Sequence, residues 1–397
     1  MPRTSHSVPN DWDRSGLPGW TYFSQPLFEL EKTEIFKTHW QYACHVSEVA
    51  RIGQYVTFDI AQERALVIRG QDGVVRGFHN LCRHRGSRLV GDEKGQCNKA
   101  LICPFHGWAY NLDGSLRGIA NANSFPPMNP DDWGLKPVEM EIWHGFIFLR
   151  FQPGPQPPIA KILARFEDEV APYRPEDMVL AEGAPAAEET LVNWKSVRDV
   201  DNEGYHVRQA HPGLHDLYGS NYYDEPYIDG ASRSVGYFNQ APSKGWSTRH
   251  YRAILPEATH LPPQNRAAWL YIGVFPNLVF GFYPDSVIFY QEIPQSATKT
   301  VQRGATFRHR DESRQLRAAR YLSARIDRDT AREDQMLTIW ACEATQSSAF
   351  DGIILSDLEY GLKSFHDHLR AEIPVVTLAR EPAQVSAEND ALRKAAE

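Results

Sequence analysis

Two short motifs constrain this chain more than anything else in it: Cys82-Arg83-His84-Arg85-Gly86 and Cys103-Pro104-Phe105-His106-Gly107-Trp108, with eighteen residues between His84 and Cys103. Each offers one thiolate and one imidazole, so the fold has to bring two loops side by side before either motif can hold anything. Two Cys and two His suit structural zinc by softness and by count. One thiolate and one imidazole per loop also match the needs of an asymmetric [2Fe-2S] cluster, with Cys82 and Cys103 on one iron and His84 and His106 on the other. Replacing two thiolates by neutral imidazoles raises the reduction potential and makes the cluster an electron relay. The cluster is the expectation.

The chain around these motifs alternates with period two. Runs at 55–60, 65–69 and 74–79, the last after the turn Gln71-Asp72-Gly73, predict antiparallel strands. Further runs at 101–102, 108–110 and 141–151 complete a small all-β domain over residues 38–152. Residues 153–158, within Phe151-Gln152-Pro153-Gly154-Pro155-Gln156-Pro157-Pro158, predict a stiff linker. Ahead of the domain, Leu27, Phe28, Leu30 and Phe36 form an apolar stripe that predicts a helix over 25–38. Beyond the linker, a helix is predicted near 159–170. Apolar, aromatic runs at 268–274, 278–283 and 287–293 predict a central antiparallel sheet. Helices follow at 314–326, 331–345 and 356–369, and the polar tail after Arg380 is expected to fray.

Residues 193–212 carry a second concentration of ligand-type side chains. On a helix, Asp199, Glu203 and His206 fall at i, i+4 and i+7, on one face. Like charges four apart repel by roughly a few tenths of a kcal/mol unless a cation or donor lies between them. His211 would lie about 140° further round a regular helix. Pro212 changes this, because it pushes the residue before it out of the α region and lets the His211 ring swing back toward His206. The stretch reads as half of a mononuclear metal site. A polar helix end with two ordinary histidines is the alternative.

With 397 residues, 42% hydrophobic and 23% charged, the chain has the composition of an ordinary soluble protein of two domains. The net charge of −8 argues against nucleic acid or an anionic membrane as partner. No signal-type run and no stretch of roughly 20 apolar residues is found, so a cytoplasmic location is expected. The five cysteines are scattered and odd in number, which favours metal ligation over disulfides. The chain shows no glycine-rich dinucleotide or flavin fingerprint, so electrons must come from a separate protein.

The Cys-His pair, Asn193-Trp194-Lys195 with Glu203, Tyr205, His206 and His211-Pro212, and Phe365-His366 near the end stand in the order found in the α subunit of Rieske non-haem iron oxygenases, which this sequence resembles over nearly its whole length. The resemblance implies an α+β fold: the Rieske [2Fe-2S] domain and a helix-grip-like catalytic domain, built from 1–37 and 159–397, with a central antiparallel sheet and flanking helices. It implies a homotrimer in which the cluster of one subunit faces the mononuclear Fe(II) of its neighbour. It also implies electrons from an NAD(P)H-dependent flavin/iron-sulfur reductase or a ferredoxin. Iron that activates O₂ takes two His and one carboxylate on one face. His206 and His211 supply the first two. Counting back from Ser347-Ser348-Ala349-Phe350-Asp351-Gly352 gives Asp334 the ligand position, with Asp329 and Glu333 as alternatives, since Cys342 stands where a Gln is usual. Glu203 corresponds to the carboxylate that bridges the two metal sites across the trimer interface, between His206 and a cluster histidine, His106. Asp199 and Asn202 become supporting groups.

Many ring-hydroxylating members have Asp where this chain has Glu203, and several members acting on quaternary ammonium compounds have Glu. That points to a monooxygenase that N-demethylates a betaine, such as proline betaine or glycine betaine, with release of formaldehyde. Aromatic faces around a fixed cation are worth about 0.5 to 2 kcal/mol each, and Trp246, Trp269, Tyr271, Phe280, Phe282, Phe289 and Tyr290 are candidates. The same lining would accept an aromatic ring, so a ring hydroxylase acting on an aromatic acid is the alternative. A non-catalytic electron carrier would have no use for His206, His211 and Asp334.

Overall fold

Val56, Phe58 and Ile60 are buried while Asp59 between them is exposed, and this alternation builds the first sheet. The structure, a computed structural model, describes residues 8–182 and 186–396. Residues 36–161 with 175–179 form one unit, and the rest of the described chain forms a second.

The first unit holds β1 (Gln41–His45), β2 (Gln54–Ile60), β3 (Glu63–Arg69), β4 (Val75–His79), β5 (Lys94–Gln96), β6 (Leu101–Ile102), β7 (Ala109–Tyr110), β8 (Leu116–Gly118), β9 (Glu139–Trp143) and β10 (Phe146–Arg150). They make three antiparallel sheets in the orders β4-β3-β2-β5, β1-β10-β9 and β6-β7-β8. The first Cys-His motif follows β4, and the second lies between β6 and β7. Beneath them a core of Leu66, Phe78, Leu101, Trp108 and Tyr110 includes both Cys82 and Cys103. The proline-rich segment expected to be a spacer is strapped to this unit: Arg150 donates to the Gln156 carbonyl at 2.8 Å, and Trp40 Nε1 to the Pro157 carbonyl at 2.9 Å.

In the second unit the helix predicted over 25–38 is α-helical only in α1 (Gln25–Glu31), capped by Ser24, and then widens to a π turn over Lys32–Phe36. This unit contributes seven strands to an antiparallel sheet of eight: β11 (Ala186–Thr190), β12 (Tyr222–Ile228), β13 (Ala231–Tyr237), β14 (Ala268–Val274), β15 (Leu278–Tyr283), β16 (Ser286–Ser296) and β17 (Lys299–His309). Their order is β11-β17-β16-β15-β14-β13-β12. The helices that carry the site are α2 (Trp194–Asp201), α3 (Val207–Ala210), α4 (Pro212–Tyr218), α5 (Trp246–Ile254), α6 (Arg314–Ala344) and α7 (Tyr360–Glu372). The two helices expected over 314–345 are the single α6, about 46 Å long at 1.5 Å per residue. No Gly or Pro interrupts it, and Ser313 caps its start by accepting from Leu316 N. The tail expected to fray forms α8 (Val385–Ala396), anchored by buried Val385 and by Asn389, which accepts from Val375 N. No helix among the described residues is long and apolar enough to cross a membrane.

Candidate functional site

The two Cys-His motifs fold into the same turn. Gly86 N donates to the Cys82 carbonyl at 2.9 Å and Gly107 N to the Cys103 carbonyl at 3.0 Å, and both glycines have φ of +72°. A glycine four residues after each cysteine is what lets the backbone turn left-handed there. The sulfurs are buried, at 1% and 2% exposure, and His84 and His106 stand on the outer side with ring centroids 4.7 Å apart. His84 stacks on Trp108 at 5.3 Å, nearly parallel. Its Nδ1 is buried with no hydrogen-bond partner, an orphaned donor atom that a metal would satisfy. The Tyr110 hydroxyl lies 3.3 Å from the Cys82 sulfur and accepts from Arg83 N at 3.0 Å. Burial raises the Cys82 thiol above its usual value, with Tyr110 acting in the opposite direction. Burial, then the neighbouring His84 and Arg85, hold His106 below the usual imidazole value, in the neutral form that ligates. Among the described residues, these four do not bring three donor atoms within 4.8 Å of one another. A single zinc with bonds of about 2.0 to 2.3 Å would require that, whereas two irons would not.

The second site arises where a helix fails. α2 begins at Asn193, which accepts from Lys195 N at 3.0 Å and donates to the Ala297 carbonyl at 2.6 Å, and it stops at Asp201. At Gly204 a Cβ would come within 2.3 Å of the Tyr222 ring. The chain turns there, and Glu203 Oε2 accepts from the backbone of Tyr205 and of His206. Then α3 makes one turn, His211 leaves the helical region at φ −117°, ψ 82°, and Pro212 starts α4. The ring does swing back: His206 Nε2 and His211 Nε2 are 3.0 Å apart. α6 brings Asp334 Oδ1 to 2.8 Å from His211 Nε2 and 3.6 Å from His206 Nε2. Bonds of about 2.1 Å at right angles would set ligand atoms about 3.0 Å apart. A ring-to-ring hydrogen bond would account for one edge only, and Asp334 Oδ1 makes no hydrogen bond despite its closeness. The three atoms face a common point.

The opposite edge of each imidazole is held by a carboxylate. His206 Nδ1 lies 2.5 Å from Glu203 Oε1, and His211 Nδ1 lies 2.9 Å from Glu333 Oε2. Each Nδ1 therefore keeps the proton and each Nε2 keeps a lone pair for a cation. Burial works against the charged form of His206, but Glu203, Asp334 and Asp201 outweigh it and raise its pKa. The site has surplus negative charge, as a cation site should. Of the alternatives to Asp334, Glu333 is the brace on His211, and Asp329 is spent on a surface pair with Arg332 at 4.0 Å. Sequence reasoning missed the role of Glu333, which depends on how α6 is rotated.

Asp199, Glu203 and His206 do not share a helical face, because α2 ends before Glu203. Asp199 instead accepts from the Tyr22 hydroxyl at 2.5 Å and meets His366 Nε2 at 2.9 Å, on the side of α7. Asn202 accepts from Arg198 at 3.0 Å and from the Tyr227 hydroxyl at 3.2 Å. Asp201 is paired with Arg198 and accepts from Tyr290 at 2.5 Å.

The triad opens on a cavity of about 1360 Å³ within this unit. Of the aromatic candidates, Trp246, Tyr271, Phe289 and Tyr290 line it. Phe280 and Phe282 do not: strand parity turns them to the face of β15 opposite Val279 and Tyr283. Trp269 is core, stacked on Tyr283 at 4.0 Å.

Residues 39–129 match the Rieske [2Fe-2S] domain, and residues 178–374 match the ring hydroxylating alpha subunit catalytic domain. The glycine betaine monooxygenase oxygenase subunit of Pseudomonas aeruginosa strain UCBPP-PA14 is 40% identical over 202 residues, 50% of this chain and 45% of that protein. The carnitine monooxygenase oxygenase subunit of Escherichia coli strain K12 is 35% identical over 200 residues, 50% of this chain and 53% of that protein. The match spans about half the length of these curated relatives. Among solved structures, the quaternary ammonium Rieske monooxygenase CntA shares the fold, with a TM-score of 0.76 over 90% of this chain and 95% of that one at 24% identity.

Proposed function

The chain belongs to the Rieske non-haem iron oxygenases, joining a Rieske [2Fe-2S] domain to a ring-hydroxylating α-subunit catalytic domain, and we propose that it is the terminal oxygenase of a system that N-demethylates a quaternary ammonium betaine such as glycine betaine or proline betaine. The observation that carries this reading is the triangle of His206, His211 and Asp334 opening on an aromatic-walled cavity. Relatives named for glycine betaine and carnitine oxidation support it.

Cys82 and Cys103 would hold one iron of the cluster, and His84 and His106 the other. When bound, the cluster supplies electrons drawn from a separate NAD(P)H-dependent reductase or ferredoxin, and the mononuclear iron activates dioxygen. Glu203 and Glu333 keep the two ligand imidazoles in one tautomer and one orientation. Asp199 and Asn202 act through their partners, His366 and Tyr22 for the first, Arg198 and Tyr227 for the second, to fix the end of α2 just ahead of Glu203. In a cytoplasmic homotrimer, the exposed His106 of one copy would meet Glu203 of the next, giving electrons a short path. The substrate's N-methyl C–H becomes C–OH with one oxygen of O₂, and the other leaves as water with two electrons and two protons. The hemiaminal then loses formaldehyde: its hydroxyl gives up a proton to water as the C–O bond becomes C=O, the C–N bond breaks and the nitrogen keeps the electron pair.

Holoenzyme with its reductase, offered a panel of betaines and a panel of benzoates, tests the reading. Formaldehyde release from a betaine is expected. Hydroxylated ring product with no formaldehyde would assign the chain to aromatic acids instead.

A further inference from the structure

Asp327 and Asp334 are seven residues apart on α6, two helical turns, so their carboxylates share a face with a rise of about 10 Å between them. α4 repeats the offset, since it starts one residue after His211 and ends at Tyr218. Both helices thus lead from the metal triad to a second polar cluster. There the Tyr283 hydroxyl donates to Asp327 Oδ1 at 3.1 Å, and the hydroxyls of Tyr218, Tyr271 and Tyr283 are linked at 3.0 and 3.2 Å. β14 and β15 supply Tyr271 and Tyr283, and all four residues line the cavity that holds the triad.

What sets Asp327 apart is its lack of partners. Asp285 accepts from Tyr251, Ser286 and Ser323, and Asp201 has Arg198 and Tyr290. Asp327 receives a single hydrogen bond among the described residues, which leaves a carboxylate oxygen unmatched on a cavity wall. Burial and the nearby Asp285 push its carboxyl up to about 8, with Tyr283 and Arg328 acting the other way but outweighed, so a cation brought beside it would favour its anion. The cavity also exceeds the roughly 300 to 1,000 Å³ usual for ligand pockets. Its volume cannot select a small betaine, and a placed charge can.

We propose that Asp327, framed by the hydroxyls of Tyr218, Tyr271 and Tyr283, seats the fixed positive charge of the substrate and makes the cavity prefer quaternary ammonium ligands over neutral molecules of the same shape. A small betaine then lies between the two carboxylates of α6, one N-methyl toward Asp334 and its nitrogen toward Asp327. The choice of a quaternary ammonium ligand rests on the demethylase reading above.

The test is calorimetric titration of holoenzyme with tetramethylammonium and with its neutral counterpart tert-butanol, neither of which needs turnover. Wild type should bind the cation at least roughly tenfold tighter. Asp327→Asn should erase that preference, and Asp327→Glu should recover part of it, both with unchanged melting temperature. A wild type without the preference overturns the proposal. So does an Asp327→Asn variant that binds the cation as wild type does, or one that loses both ligands equally, since that is a structural defect. If the cation preference depends on Asp327 but no betaine yields formaldehyde, the demethylase reading fails and the cation seat stands.

Discussion

Replacing Glu333 with Ala should loosen iron at the triad and leave the cluster alone. Glu333 Oε2 is 2.9 Å from His211 Nδ1 and is the group that fixes which edge of that ring points inward. Removing a carboxylate that orients a ligand histidine typically costs 10- to 100-fold in metal affinity, about 1.4 to 2.7 kcal/mol. The Glu333 side chain is 35% exposed, so water replaces part of what it does, and a loss near tenfold is expected. The Glu203 side chain is 10% exposed and lies 2.5 Å from His206 Nδ1, so Glu203→Ala should fall nearer a hundredfold. A graded chelator competition reads both, with visible absorbance of the [2Fe-2S] cluster as an internal control in the same sample. The reasoning is refuted if Glu333→Ala holds mononuclear iron as wild type does, or if cluster absorbance falls in step with it.

Glu203→Gln keeps a hydrogen-bonding group at His206 and removes the charge; both metals should stay bound while single-turnover electron transfer slows, and unchanged turnover would remove Glu203 from the electron path. Affinity for a quaternary ammonium ligand should depend on pH, because the Asp327 carboxyl, raised to about 8, must lose its proton to receive a cation. Apparent affinity should therefore weaken about tenfold per pH unit below 8 and level off above it, whereas a flat calorimetric profile from pH 6 to 8 would contradict this. Gly204→Ala places a Cβ within 2.3 Å of the Tyr222 ring, so a loss of about 1 to 3 kcal/mol in stability and a lower iron content are expected from denaturant titration and metal analysis. Gly107→Ala forces a side chain into the left-handed region at a cost of about 1 to 2 kcal/mol and should lower cluster absorbance per chain.

What could be read from the sequence was what local chemistry decides. The strands at 268–274 and 278–283 have the ends expected of them, because aromatic and β-branched runs meet Pro276-Asn277 and Pro284-Asp285. The two Cys-His motifs stand out by residue type and spacing, and Pro212 does displace His211 as its ring geometry requires. What could not be read depends on contacts between distant segments. The break at Asn202–His206 needs the Tyr222 ring against Gly204, eighteen residues further along the chain at the start of β12. Asp334, Glu333 and Asp329 differ only in which side of α6 they occupy, and periodicity does not say which side turns toward α3 and α4. Asp327 meets Tyr283, and through it Tyr271, only because strand parity and that same helix face coincide.

Iron and acid-labile sulfide, counted per chain in wild type and in Asp334→Ala, test the central claim most directly. A [2Fe-2S] cluster with one mononuclear iron predicts three irons and two sulfides in wild type, falling to two irons and two sulfides in the variant. Three irons retained in Asp334→Ala, or zinc recovered with no sulfide, would contradict the account.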